Sequence, residues 1–147
     1  MSPAPAHRQN MAITNDLSAL SRVRDLVKSG VEQGGFPPQY LNRLQIAVDE
    51  AVTNIVEHGY ANLPPGKATI ELALTVDRDA FRMVIEDYGQ TFDPEDLGDI
   101  DIQSHVRAGN SGGLGVFLMR KIMDLIEYHA ETGKKNRLVL VKYRGPA

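Results

Sequence analysis

Cysteine is absent from the 147-residue chain, so a disulfide framework and any cysteine metal site are excluded. Long apolar runs are missing as well. No stretch has the length of a membrane span or the layout of a secretory signal, and a reducing, cytoplasmic setting is the expectation. Nor does charge of one sign prevail: 16 basic and 19 acidic residues are scattered along the chain, for a formal net charge of -3. That balance gives no electrostatic footprint for direct nucleic-acid or anionic-membrane binding. The four histidines, His7, His58, His105 and His129, lack metal-ligand spacing. What is present is a 42% hydrophobic composition over the length of about one domain. Such a chain can bury roughly two thirds of its unfolded surface around a single core.

Residues 1–11 combine two prolines with small residues and no periodicity, so residues 1–12 are expected to form a flexible leader and residues 13–147 one domain. Over residues 14–31, Leu17, Leu20, Val23, Val27 and Val31 recur at helical spacing, Thr14 or Asn15 can cap, and Gly34, Gly35, Pro37 and Pro38 end the run. A second helix is expected over residues 39–58, with Leu41, Leu44, Val48, Ala51 and Ile55 as its apolar stripe. Ile70, Leu72, Leu74 and Val76 then alternate with Thr69, Glu71, Ala73 and Thr75, as a half-buried strand requires. Residues 77–79 lead into a return strand that puts Phe81, Met83, Ile85 and, by parity, Asp87 on one face. Residues 90–112 lack periodicity and suit an active-site lid. A third helix starting near Gly113 is expected to carry Leu114, Leu118, Ile122 and Leu125 on one side. Residues 125–130 and 137–143 read as a terminal hairpin turning at residues 132–136. Grouped helices beside two hairpins point to an α+β fold, a two-layer α/β sandwich with helices packed on one face of a mixed, largely antiparallel sheet.

Three short segments carry chemistry. Glu50, Asn54 and His58 stand at i, i+4 and i+8 on the flank of the second helix, where they can edge a cleft or form a solvated polar face. At a cleft, the carboxylate could accept a proton, and the carboxamide oxygen could ligate a magnesium ion already largely held by phosphate oxygens and water. Asp87, on the core parity of its strand, needs a hydrogen-bond donor. The exocyclic amine of adenine is one candidate, and a turn amide is the other. Gly89 after it permits close approach of a ligand, while Gly109, Gly112, Gly113 and Gly115 permit unusual torsions beside helix-start amides that favour phosphate. Alone, such glycines also describe a flexible loop before a helix. Neither a Walker phosphate loop nor an early Rossmann glycine fingerprint is present.

Taken in order, Glu50-Ala51-Val52-Thr53-Asn54 with His58-Gly59-Tyr60, Asp87-Tyr88-Gly89 with Phe92-Asp93, and Gly112-Gly113-Leu114-Gly115 through Met119 and Met123-Asp124 resemble the N, G1 and G2 boxes of the histidine-kinase-type ATPase superfamily. Within it the chain is similar to the anti-sigma-factor serine kinases, from about Leu17 to Arg144. The resemblance implies a Bergerat ATP-binding fold, with ATP and Mg2+ as ligands. It implies Glu50 as the base for a partner serine, Asn54 on magnesium, and Asp87 on the adenine amino group. His58, Gly89, Gly109, Gly112, Gly113, Leu114 and Gly115 would lie around the nucleotide. It further implies a protein serine kinase in a partner-switching pathway, with a sigma factor and an anti-sigma-factor antagonist protein as partners and a homodimer as the assembly. The alternative is a nucleotide-dependent module that sequesters its partner without phosphotransfer. A histidine autokinase fits less well, because no helical dimerisation segment with a phosphoacceptor histidine is evident and His7 sits in the Pro- and Ala-rich leader. Three positions depart from the common pattern: Thr91 at a second G1 glycine position, Ser111 where some relatives are basic, and Val141 where a final-strand threonine often helps hold adenine.

Overall fold

A computed structural model describes residues 6–59, 64, 66–88, 112–130 and 135–145. Its five strands are β1 (His7–Thr14), β2 (Thr69–Val76), β3 (Ala80–Asp87), β4 (Leu125–Ala130) and β5 (Asn136–Tyr143). They form one sheet in the order β1-β2-β3-β5-β4. Among the described residues all four ladders are antiparallel, where a mixed, largely antiparallel sheet was expected. Among the described residues three helices, α1 (Leu20–Gly34), α2 (Leu41–Asn54) and α3 (Gly112–Ile122), lie against it, with α2 packed on both α1 and α3. Among the described residues, no helix is long and apolar enough to cross a membrane.

The alternation read from β2 and β3 sets the layers. Ile70, Leu72, Leu74 and Val76 from β2 and Phe81, Met83 and Ile85 from β3 are all buried in the same core as Val23, Val27 and Val31 of α1 and Leu44, Val48 and Ala51 of α2. Burial of one such side chain stabilises by about 1.5–3 kcal/mol. An exposed ion pair such as Arg24–Asp49, which bridges α1 and α2 at 2.8 Å, contributes about 0–1 kcal/mol. The apolar stripes, not the surface charges, therefore hold the helices down. On the other face of the sheet a smaller cluster gathers Val84, Val139 and Val141, with Ala73 packed against it.

Four expectations are corrected. Residues 7–14 are not part of a flexible leader, since β1 pairs with β2 from His7↔Val76 to Thr14↔Thr69. Only Ile13 of that strand is fully buried, so an edge strand with so few apolar residues leaves little periodicity to read. The first helix begins at Leu20, after a 3-10 turn over Leu17–Ala19 capped by Asp16, whose Oδ1 accepts from the Ser18 amide at 2.9 Å; Leu17 is 42% exposed. Asn15 does not cap that helix. Its Oδ1 accepts from the amides of Lys67 and Ala68, and its Nδ2 donates to the Pro64 carbonyl, which clamps the approach to β2. Among the described side chains of α3 the buried positions are Val116 and Met119, followed by Met123; Ile122 packs on the core as expected, Leu118 is 38% exposed, Leu125 belongs to β4, and the Leu114 side chain lies outside the described residues. The unbranched methionines fill the core, and the branched leucine that suggested the stripe faces outward. The expected lid, residues 90–112, lies outside the described residues except for Gly112, where α3 begins.

Close packing of α1 on β2 depends on glycine. A Cβ on Gly34 would sit 2.6 Å from Val76 Cγ1 and 2.8 Å from the Val76 carbonyl oxygen, and the backbone of a central ladder cannot yield. Gly35 next to it, at φ 72°, ends the helix in the left-handed conformation, its amide donating to the Val31 carbonyl. Gly34→Ala gains up to about 1 kcal/mol of helix propensity and loses about 1–3 kcal/mol to overpacking. A net fall in the thermal midpoint of a few degrees is expected in calorimetry; an unchanged or higher midpoint would show that α1 can lift off the sheet without cost.

Candidate functional site

The C-terminal end of α2, the end of β3, the start of β5 and the first turn of α3 carry the polar groups and free amides from which a site can be built. Glu50 is half-buried on α2, one turn before Asn54, which closes the helix and is 2% exposed. Burial, and then the neighbouring charges of Asp49 and Glu57, push the Glu50 carboxyl above its usual value. Asp49 is itself tied to Arg24 through Oδ2, while its Oδ1 is buried with no hydrogen-bond partner among the described residues. The Asn54 Nδ2 is in the same condition. A buried amide with an unused donor calls for an acceptor that the described residues do not supply.

Past Asn54 the helix widens into a π turn over Ile55–Gly59. Such turns recur at functional sites. The turn includes His58, whose side chain, expected in line with Glu50 and Asn54, lies outside the described residues.

The parity argument for Asp87 holds: its carboxylate is 3% exposed on the core side of β3, following Phe81, Met83 and Ile85. Directly across the ladder stands Asn136, 1% exposed, whose Nδ2 donates to Asp87 Oδ1 at 3.2 Å. Sequence reasoning missed Asn136 by assigning it to the hairpin turn. The signal was available, because Asn136, Leu138 and Leu140 share one parity, and a polar residue on a core parity is what singled out Asp87. Val141 proves irrelevant to this rung. It lies on the other face of the sheet, opposite Arg82.

Gly112, Gly113, Leu114 and Gly115 form the first turn of α3 rather than a loop before it; the Leu114 side chain, and Gly89 and Gly109 altogether, lie outside the described residues. The first four amides of a helix have no intrahelical partners and favour anions. No group of three or more His, Asp or Glu side chains gathers as a metal site among the described residues.

The profile of the histidine kinase-like ATPase domain matches residues 13–142. The chain belongs to that family. Its similarity to serine-protein kinase RsbW of Listeria monocytogenes is 32% identity over 120 residues, covering 78% of this chain and 74% of the relative. RsbW of Halalkalibacterium halodurans is 32% identical, covering 76% of this chain and 68% of the relative, and RsbW of Bacillus pumilus is 34% identical, covering 74% and 70%. Among solved structures, the RsbU and RsbW domains of Rv1364c from Mycobacterium tuberculosis superpose with a TM-score of 0.63 at 19% identity. The match covers 98% of this chain and 34% of that longer one, a likeness of fold.

Glu50 gives the site a signature in stability. A carboxyl whose folded-state pKa lies above its usual 4.5 costs nothing below that value, where it is protonated in both states. As pH rises through 4.5 toward the folded value, the unfolded state ionises first and stability falls; above both values the cost is constant. Glu50→Gln is therefore expected to melt above wild type near pH 7 and together with it at about pH 4. Calorimetry across that range checks it, and a variant less stable than wild type at neutral pH would refute it.

Proposed function

We propose that the chain is an ATP-dependent protein serine kinase that phosphorylates an anti-sigma-factor antagonist on serine and, in its other state, holds a sigma factor. The observation that carries this reading is a set of three unlike polar groups at element ends: a half-buried carboxylate at Glu50, a buried carboxamide at Asn54 whose donor is unused among the described residues, and a buried carboxylate at Asp87. None of them is accounted for by the apolar core, and together they suit the base, the phosphates and the adenine of one nucleotide. The names of the similar kinases support the same reaction class.

When bound, ATP supplies the transferable phosphoryl group and magnesium offsets the charge of its phosphates. Asn54 would hold the ion through its carboxamide oxygen and offer Nδ2 to a phosphate oxygen, and the first amides of α3 would donate to further phosphate oxygens. Asp87 would accept from the adenine amine. Glu50 takes the proton of the attacking serine hydroxyl, and its pKa, raised by burial and by the charges of Asp49 and Glu57, makes it a stronger base than an ordinary carboxylate. The sequestering module without phosphotransfer is not favoured, because it leaves Glu50 as a half-buried charge with a cost and no task. A cytoplasmic setting and a homodimer belong to the same proposal.

The test is incubation with magnesium-ATP and antagonist-type proteins, followed by phosphosite mapping. Wild type is expected to label a serine of one of them. Glu50→Gln should keep nucleotide binding and lose transfer by about a hundredfold to ten-thousandfold. Transfer at the wild-type rate by that variant would remove Glu50 as the base. Asn54→Ala should bind ATP with much less response to magnesium, as titration calorimetry reads directly; an identical magnesium response would leave Asn54 a polar helix residue only.

A further inference from the structure

We propose that Asn136 is the positioning residue for Asp87, fixing the carboxylate in the one orientation that lets the site tell adenine from other purines. The inference rests on the reading of Asp87 as the adenine acceptor. Asn136 and Asp87 form the last rung of the β3–β5 ladder, both nearly without exposure, with Nδ2 donating to Oδ1 at 3.2 Å. A lone carboxylate at the end of a strand can rotate about two side-chain torsions. A donor built on the facing strand selects one setting, because both backbones are held by the ladder.

Orientation matters because base reading here is a contest of donors against acceptors. The six-position of adenine carries an amine that donates, and that of hypoxanthine carries an oxygen that accepts. A fixed carboxylate oxygen attracts the first and repels the second, whereas one free to swing away rejects neither. The ratio of ATP to ITP affinity therefore reports how well Asp87 is held, and the magnesium dependence of binding reports the distant phosphate end.

Asn136→Val and Asn136→Thr make a matched pair, two β-branched residues of similar shape suited to a strand, with a hydroxyl donor only in threonine. Thermal unfolding confirms that each is folded. Calorimetry with ATP and ITP should show the ATP-over-ITP ratio falling about tenfold or more in Asn136→Val, the size associated with losing a hydrogen bond to a charged group, with the magnesium response unchanged. Asn136→Thr should keep most of the ratio. Adding Asn136→Val to Asp87→Asn should lower the ratio no further, since the two act as one unit. A wild-type ratio in Asn136→Val, while Asp87→Asn loses it, would overturn the role of Asn136 alone. A wild-type ratio in Asp87→Asn would instead remove the adenine assignment on which the inference rests. Equal losses in the valine and threonine variants together with a lost magnesium response would mean general damage and would overturn the proposal as well.

Discussion

A carboxylate on the core side of a strand has to find donors, and Asp87 is placed there by the same alternation that buries Phe81, Met83 and Ile85. Its burial cannot be relieved without breaking the register of β3, because a one-residue slip would turn those three large side chains out of the core. The register with β5 brings Asn136 opposite, and the pairing answers part of the demand. The end of the sheet is thus a polar site that the apolar core holds in place. On the other face of the same end, Lys135 reaches Glu86 at 3.2 Å, an exposed pair that contributes little by comparison.

Helix α2 meets two demands at once. Its apolar stripe, from Leu44 through Val48 to Ala51 and Val52, is buried between α1 and α3, which fixes its rotation about its own axis. That rotation leaves Glu50 half-buried and sends Asn54 under cover at the helix end. Both residues are costly where they stand: one is a carboxylate with a raised pKa beside two like charges, the other an amide whose buried donor is unused among the described residues. Costs of this kind are tolerated where binding or catalysis uses them, and the core around them is large enough to bear them.

Much of this was legible in the sequence because two periodicities are strong. Alternation over residues 69–76 and 81–87 delivered the central hairpin and the inward side of Asp87, and the 3.6-residue pattern delivered the stripe of α2. The failures share a physical cause, weak local signal overridden by tertiary packing. β1 is an edge strand with one fully buried residue, and its order comes from the ladder with β2. α3 is seated through Val116 and Met119, and Leu118, expected in its stripe, is exposed. The π turn after Asn54 leaves no mark in composition. Asn136 was hidden for another reason. A polar residue beside a turn reads as part of the turn until the opposite strand is in register.

The central claim is that the end of α2, the end of β3, the start of β5 and the first turn of α3 form one nucleotide site. Amide hydrogen exchange, with and without magnesium-ATP, tests it most directly, because it reports every element of the folded chain in one experiment. The account predicts slowed exchange in segments 50–59, 85–88, 112–118 and 136–138, and no change in β1 or around Phe36 and Pro37 at the far end of α1. Protection confined to other elements, or protection of α2 without β3 and β5, would contradict it.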